Sequence, residues 1–266
     1  MFSYNPPKPK KYLFDPSSKD SFKLSRSGLE LFIKCPRCFY LDKVFGIAQP
    51  PGYPFTLNSA VDTLLKKEFD IHRAKKTTHP LMEKYKIDAV PLAHKDLNNW
   101  RENFVGVQFL HKRTNLLITG AVDDIWVDKN ENLMVVDYKA TSTERETDTT
   151  EEKWDSYFRQ MEIYQWLLRQ NGFKVSSTGY FVYCNGRKDR EAFDGKLEFD
   201  IEIVSHEGNG DWIEKTIVGA KKCLMEEKMP DSTEDCDFCK YRRAAEKFEI
   251  ESSKKPSLNQ TQGTLL

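Results

Sequence analysis

The chain has 266 residues, with 41 basic and 41 acidic side chains, for a formal net charge of +0. That balance excludes a chain that is basic throughout to grip nucleic acid, while leaving room for a local basic patch. With 39% hydrophobic and 12% aromatic residues it can build a core, and no apolar run approaches the ~20 residues of a spanning helix, so the expectation is a soluble, cytoplasmic, one-domain protein.

Residues 1–22 carry Pro6, Pro7, Pro9 and Pro16 among lysines and serines, with no apolar leader core, and are expected to form a flexible arm. The folded domain is expected over 23–248 and a disordered tail over 249–266. A first helix is predicted after Ser25 or Ser27, where Ser27 and Glu30 have capping-box spacing. Leu29, Phe32, Ile33 and Tyr40 keep its helical period, and Pro36 should kink or restart it. A second helix is predicted over about 58–75, with Val61, Leu64, Leu65 and Phe69 on one face. Strands are predicted over about 103–112, 116–128 and 132–140, the last two joined as a hairpin by the turn-rich Asp128 to Asn132. A helix over about 151–170 should stop at Asn171-Gly172. Strands over about 177–184 and 196–205 and a helix over about 211–228 complete a mixed α/β (α+β) chain.

The hairpin carries charge where a strand ends. Asp137 and Lys139 alternate onto one face of their strand, ~7 Å apart along the chain, and the preceding strand delivers Asp123 and Asp124. Carboxylates from two strands beside one lysine suit metal-assisted phosphodiester hydrolysis. Oxygen ligands take Mg²⁺ or Mn²⁺, and the lysine can orient water or neutralise charge on the phosphate. On spacing alone, a solvated hairpin end explains the same residues equally well.

Order along the chain adds a resemblance. Gly120-x-x-Asp123, then Asp137-Tyr138-Lys139, then Gln160-x-x-x-Tyr164 is similar to the motif order of RecB-type members of the PD-(D/E)xK nuclease superfamily. That group includes the iron–sulfur nucleases of CRISPR adaptation, and the likeness spans about 24–242. It implies a restriction-endonuclease-like core, a central mixed β-sheet flanked by helices. It also implies Asp123 and Asp137 as metal ligands, the Tyr138 carbonyl as another, Lys139 as catalytic, and Gln160 and Tyr164 beside the site. Asp124, on the opposite face from Asp123, is expected to pair elsewhere. One departure is Asp62, standing where such enzymes place a histidine on an early helix; it is read as a ligand or a neighbour of one, against an ordinary solvated residue.

Cys35-x-x-Cys38 and Cys236-x-x-Cys239 sit near opposite ends of the domain, and four such thiols suit Zn²⁺ or an iron–sulfur cluster. Bound metal would join the N- and C-terminal segments. Iron–sulfur nucleases of the resembling group carry one early and three late cysteines. The two-and-two distribution departs from this and raises the case for Zn²⁺; a 4Fe-4S cluster is still expected, with Zn²⁺ or four ordinary reduced thiols as the alternatives. Cys184, Cys223, Trp126, Trp154 and Trp166 are read as core, and the five histidines show no ligand spacing. Lys66, Lys67, Arg73, Lys75, Lys76, Lys84 and Lys86 form a basic tract that either follows a phosphate backbone or is a solvated helix face. Lys153, Arg159 and Arg169 on the long helix leave the same two readings open.

The resulting expectation is a metal-dependent DNA nuclease acting on single strands or ends, in DNA repair, recombination or defence. By analogy it would have a helicase or recombination partner and no membrane association. The competing expectation is a nucleic-acid-binding or assembly module that keeps the nuclease fold with weak or no turnover.

Overall fold

The computed structural model of the protein describes residues 8–52, 56–143, 149–150 and 152–253. The first seven residues of the arm, the helix start expected at Glu151 and the tail from 254 onward lie outside them. Residues 8–21 are docked rather than loose. Phe14 is buried and meets Phe22 edge-on at 5.4 Å, Lys8 forms an ion pair with Asp42, and the Phe14 N–H donates to the Lys43 carbonyl. One buried aromatic side chain contributes about 1.5–3 kcal/mol, enough to hold a short arm whose Pro- and Lys-rich composition hides it.

Strand β1 (Phe22–Ser25) runs into helix α1 (Arg26–Lys34), and the cap is Ser25, whose side chain accepts from the Gly28 N–H at 3.2 Å. The expected Ser27–Glu30 box does not form, because Glu30 is buried and holds Arg159 through two hydrogen bonds. Pro36 restarts the chain as α2 (Pro36–Val44), its missing N–H costing nothing at a first helical position. Then follow α3 (Thr56–Lys75), α4 (Pro80–Lys84), β2 (Ala89–Pro91), α5 (Leu97–Arg101), β3 (Val107–His111), β4 (Leu116–Gly120), β5 (Asp124–Asp128) and β6 (Leu133–Thr141). The chain continues through α6 (Glu152–Gln170), β7 (Thr178–Gly186), β8 (Phe199–Glu207), α7 (Asp211–Leu224) and α8 (Asp237–Ser253). Gly172, at φ +86, provides the left-handed residue that stops α6. Helix α8 continues past 248, the expected end of the ordered domain.

The single strand expected over 116–128 is two strands in two sheets. β4 lies in a three-stranded sheet of order β1-β4-β3, and β5 in a mixed five-stranded sheet of order β2-β5-β6-β7-β8. The Val122 N–H donates to the Trp100 carbonyl instead of a ladder, so the chain turns from one sheet into the other at 121–123. β5 and β6 form the expected antiparallel hairpin, with Asp124 opposite Val136; β6 then pairs parallel to β7. In the connection, the Asp128 side chain accepts from Asn130 N–H and Asn132 N–H, both at 2.8 Å.

The two faces of the larger sheet fill separate cores. Val135 and Phe181 pack with α6 residues Trp154, Met161 and Leu167. On the other face Val136, Tyr138 and Trp126 pack under α3 residues Leu65 and Phe69, whose ring stacks on Trp126 at 5.5 Å. Leu64 does not join them; it is 63% exposed, because a 20-residue helix lying on one sheet buries a narrower stripe than its apolar residues suggest. Trp126, Trp154, Trp166, Cys184 and Cys223 are buried as expected. No helix among the described residues is long and apolar enough to cross a membrane.

Candidate active site and metal centre

Alternation along β6 sorts three consecutive side chains. Asp137 and Lys139 face α6, while the Tyr138 ring faces α3. Asp137 is fully buried. Its Oδ1 accepts from Gln160 Nε2 at 2.6 Å, its Oδ2 pairs with Lys139, and Gln160 Nε2 lies 3.1 Å from the Tyr164 hydroxyl. Gln160 and Tyr164, one turn apart on α6, therefore back the carboxylate together. Burial drives the Asp137 carboxyl up to about 6; Lys139 opposes this and Asp123 adds to it. For Lys139 burial works against the charge, but Asp137 and Asp123 outweigh it and hold the ammonium above its ordinary range. Its Nζ also lies 4.6 Å over the Tyr157 ring.

Asp123 sits in the bend between β4 and β5, beyond the ladder. Its Oδ2 accepts from the Tyr138 N–H at 2.9 Å, which ties the bend to β6 beside Asp137. Gly120 lets α6 pack closely over the end of β4: a Cβ there would lie 2.6 Å from Tyr164 Cε1. Asp124 points the other way, fully buried, paired with Arg73 and with Arg101 Nη2 at 3.1 Å, and accepting from the Tyr138 hydroxyl at 2.8 Å. Arg101 also donates from Nε to the Asp123 carbonyl at 3.0 Å and pairs with Asp70. This buried network behind the bend is not legible in the sequence, where Arg73 reads as one more member of a basic tract.

Asp62 and Lys66 lie one turn apart on α3. Lys66 Nζ is 2.8 Å from Asp62 Oδ2 and 3.3 Å from Asp123 Oδ1. Burial raises the Asp62 carboxyl above its ordinary value, and the Asp123 charge adds to the rise. Asn58 Nδ2 donates to the Ala140 carbonyl at 2.7 Å and fixes the start of α3 against the end of β6. Between them opens a cleft of about 570 Å³, lined by Asp62, Lys139, Lys153, Tyr157, Tyr183 and Phe199 among others. Asp62 lines the cleft, while Asp123 and Asp137 lie behind its wall, linked to it through Lys66 and Lys139; all three are hard oxygen donors, the donor type that Mg²⁺ and Mn²⁺ take. Their oxygens do not close on a single point, since the ammonium groups of Lys66 and Lys139 stand among them. Of the basic tract, Lys67, Lys75, Lys76, Lys84 and Lys86 are exposed, whereas Arg73 is buried. Arg159 and Arg169 on α6 bond to Glu30 and to the Ser176 carbonyl, and Lys153 faces the cleft.

The four cysteines meet where α2 and α8 begin. Cys38 Sγ lies 3.6 Å from both Cys236 and Cys239, and Cys35 lies 3.9 Å from Cys239, a residue 204 positions away. All four sulfurs are within 4.8 Å of one another, and no disulfide joins them. Among the described residues this is the set of three or more His, Cys, Asp or Glu donors so gathered. Burial works against the Cys35 thiolate, but N–H groups of Cys38 and Thr233 bring it down to about 7; burial pushes the Cys239 thiol up. The quartet can bind metal, with the charge of an ion favouring thiolates at all four positions.

Comparison with curated proteins finds no match. The family model of the PD-(D/E)XK nuclease superfamily matches residues 57–244.

Proposed function

The chain belongs to the PD-(D/E)XK nuclease superfamily, and on that premise we propose that it is a metal-dependent DNA nuclease. Asp123, Asp137, the Tyr138 carbonyl and Asp62 would hold Mg²⁺ or Mn²⁺. The observation that carries this reading is the linked set of buried Asp137, Lys139, Gln160 and Tyr164, with Asp123 tied to β6 beside it and Lys139 lining the cleft. A bound ion supplies polarisation of the phosphate and a water of lowered pKa. Lys139, held protonated by the carboxylates around it, serves as a fixed positive charge for the phosphate oxygens rather than as a base. Gln160 orients Asp137, and Tyr164 steadies Gln160. Lys153 would meet a phosphate at the cleft wall, and Tyr157, Tyr183 and Phe199 offer apolar surface to a strand splayed into it. Action on single strands or ends and roles in repair, recombination or defence rest on the RecB-type motif order alone, and a helicase or recombination partner rests on family analogy with no residue of this chain behind it.

For the cysteine quartet the reading is one structural Zn²⁺. Four thiolates around zinc at ~2.3 Å stand ~3.8 Å apart at the corners of a tetrahedron; three of the sulfur spacings here are 3.6 to 3.9 Å, and all four sulfurs lie within 4.8 Å of one another. A four-iron cube, with its own sulfides between the irons, needs its thiolates much farther apart.

Purified protein with Mn²⁺ is expected to degrade labelled DNA, and Lys139→Ala to slow this by roughly 10²–10³-fold, the usual cost of losing one group that stabilises a developing charge. Equal rates for the two proteins would overturn the catalytic role of Lys139. Binding of DNA without cleavage in Mg²⁺, Mn²⁺ and Co²⁺ would replace the enzyme with the binding-module reading.

A further inference from the structure

Lys66 stands out within the charged face of α3. An ordinary i,i+4 pair on a helix surface is exposed and joins two residues of one element. Lys66 is 22% exposed at its side chain and reaches from Asp62, on its own helix, across to Asp123 in the bend between β4 and β5. Its ammonium therefore sits against oxygens of both carboxylates at once, on the side of Asp123 not used by the Tyr138 N–H.

We propose that Lys66 is a resident counter-cation that competes with the divalent ion for Asp62 and Asp123. This rests on the reading of those two carboxylates as ion-holding. An ammonium and a divalent cation on the same oxygens, ~4 Å apart or less, repel strongly in a half-buried setting, so one must leave for the other to bind. Lysine suits the exchange. It is a compact point charge on a flexible four-carbon stem and can swing out into the cleft, whereas an arginine fork would clamp the carboxylates and resist displacement. With the lysine in place, Asp62 and Asp123 are kept from repelling each other while no metal is bound, and the apparent metal affinity is lowered by the fraction of time the ammonium holds the site.

The test is Mn²⁺ binding by the full-length chain, read by electron paramagnetic resonance of free Mn²⁺ and by the Mn²⁺-induced rise in melting temperature. Wild type, Lys66→Met, Lys66→Gln and Asp123→Asn would be compared. Both Lys66 variants are expected to bind Mn²⁺ about tenfold more tightly than wild type and to gain more in melting temperature when it is added. Asp123→Asn should lose the binding. Lys66→Gln keeps a polar group at the position, so it remains informative if Lys66→Met does not fold. Unchanged or weaker binding in the Lys66 variants, with wild type still binding, overturns the competition and leaves the metal site standing. No Mn²⁺ binding by wild type or either Lys66 variant overturns both.

Discussion

At Asp137, burial and charge pull against each other, and the balance has a consequence for stability. Its carboxyl titrates at about 6 in the folded protein, above the ordinary 3.8, with burial as the main cause. The folded state therefore binds this proton more tightly than the unfolded chain does. The stability contributed by the protonated group is full below about pH 4 and is lost as pH rises through about 6. In chelator-treated protein, urea denaturation between pH 4 and 7 should show wild type losing stability relative to Asp137→Asn across that window. Parallel curves would mean that Asp137 does not titrate there. The same burial explains the residues behind it. Asp124 has no solvent, and Arg73, Arg101 and the Tyr138 hydroxyl partner its oxygens instead.

Among the elements, β6 and α6 carry the site and α2 and α8 carry the cysteines. Their dependence on metal should differ. α8 is mostly exposed, with Tyr241 and Phe248 on its outer surface, so the sulfur quartet is its main tie to the rest of the fold. A zinc chelator is expected to release about one Zn²⁺ per chain and lower the melting temperature by roughly 5–10 °C. It should also open trypsin sites at Lys240, Arg242 and Arg243 before any in β6 or α6. A visible charge-transfer band in the anaerobically purified protein would assign iron instead, and an unchanged melting temperature would leave the quartet as ordinary thiols.

Over the whole molecule, two described segments far apart in sequence come together on α2. The arm reaches it through Phe14 and the Lys8–Asp42 pair, and α8 reaches it through the cysteines. Phe14 is 6% exposed, and Lys221 of α7 lies 4.4 Å over its ring. Phe14→Ala should cost ~3–5 kcal/mol, as other large-to-small core changes do, measurable by denaturation, while leaving DNA cleavage at a permissive temperature unaltered. A cost below about 1 kcal/mol would mean that the arm is an ornament on a core complete without it.

The parts legible in the sequence are those fixed within one element or across one short turn. Alternation puts Asp137 and Lys139 on the same face of β6, one helical turn stacks Gln160 on Tyr164, and Asp128 to Asn132 closes the hairpin because a side-chain oxygen there can bond the turn's own N–H groups. The pairing of Cys-x-x-Cys motifs across the chain is legible too, since two such pairs together supply the four thiolates of a tetrahedral metal site. What only the tertiary structure decided are contacts between residues distant along the chain. The break of 116–128 into two sheets depends on the Trp100 carbonyl, the fate of Arg73 on a carboxylate 51 positions away, and the position of Lys66 on Asp123, 57 positions away. The meeting of the four sulfurs likewise follows from how α2 and α8 are brought together. Local spacing sets which residues share a face; only packing sets what that face meets.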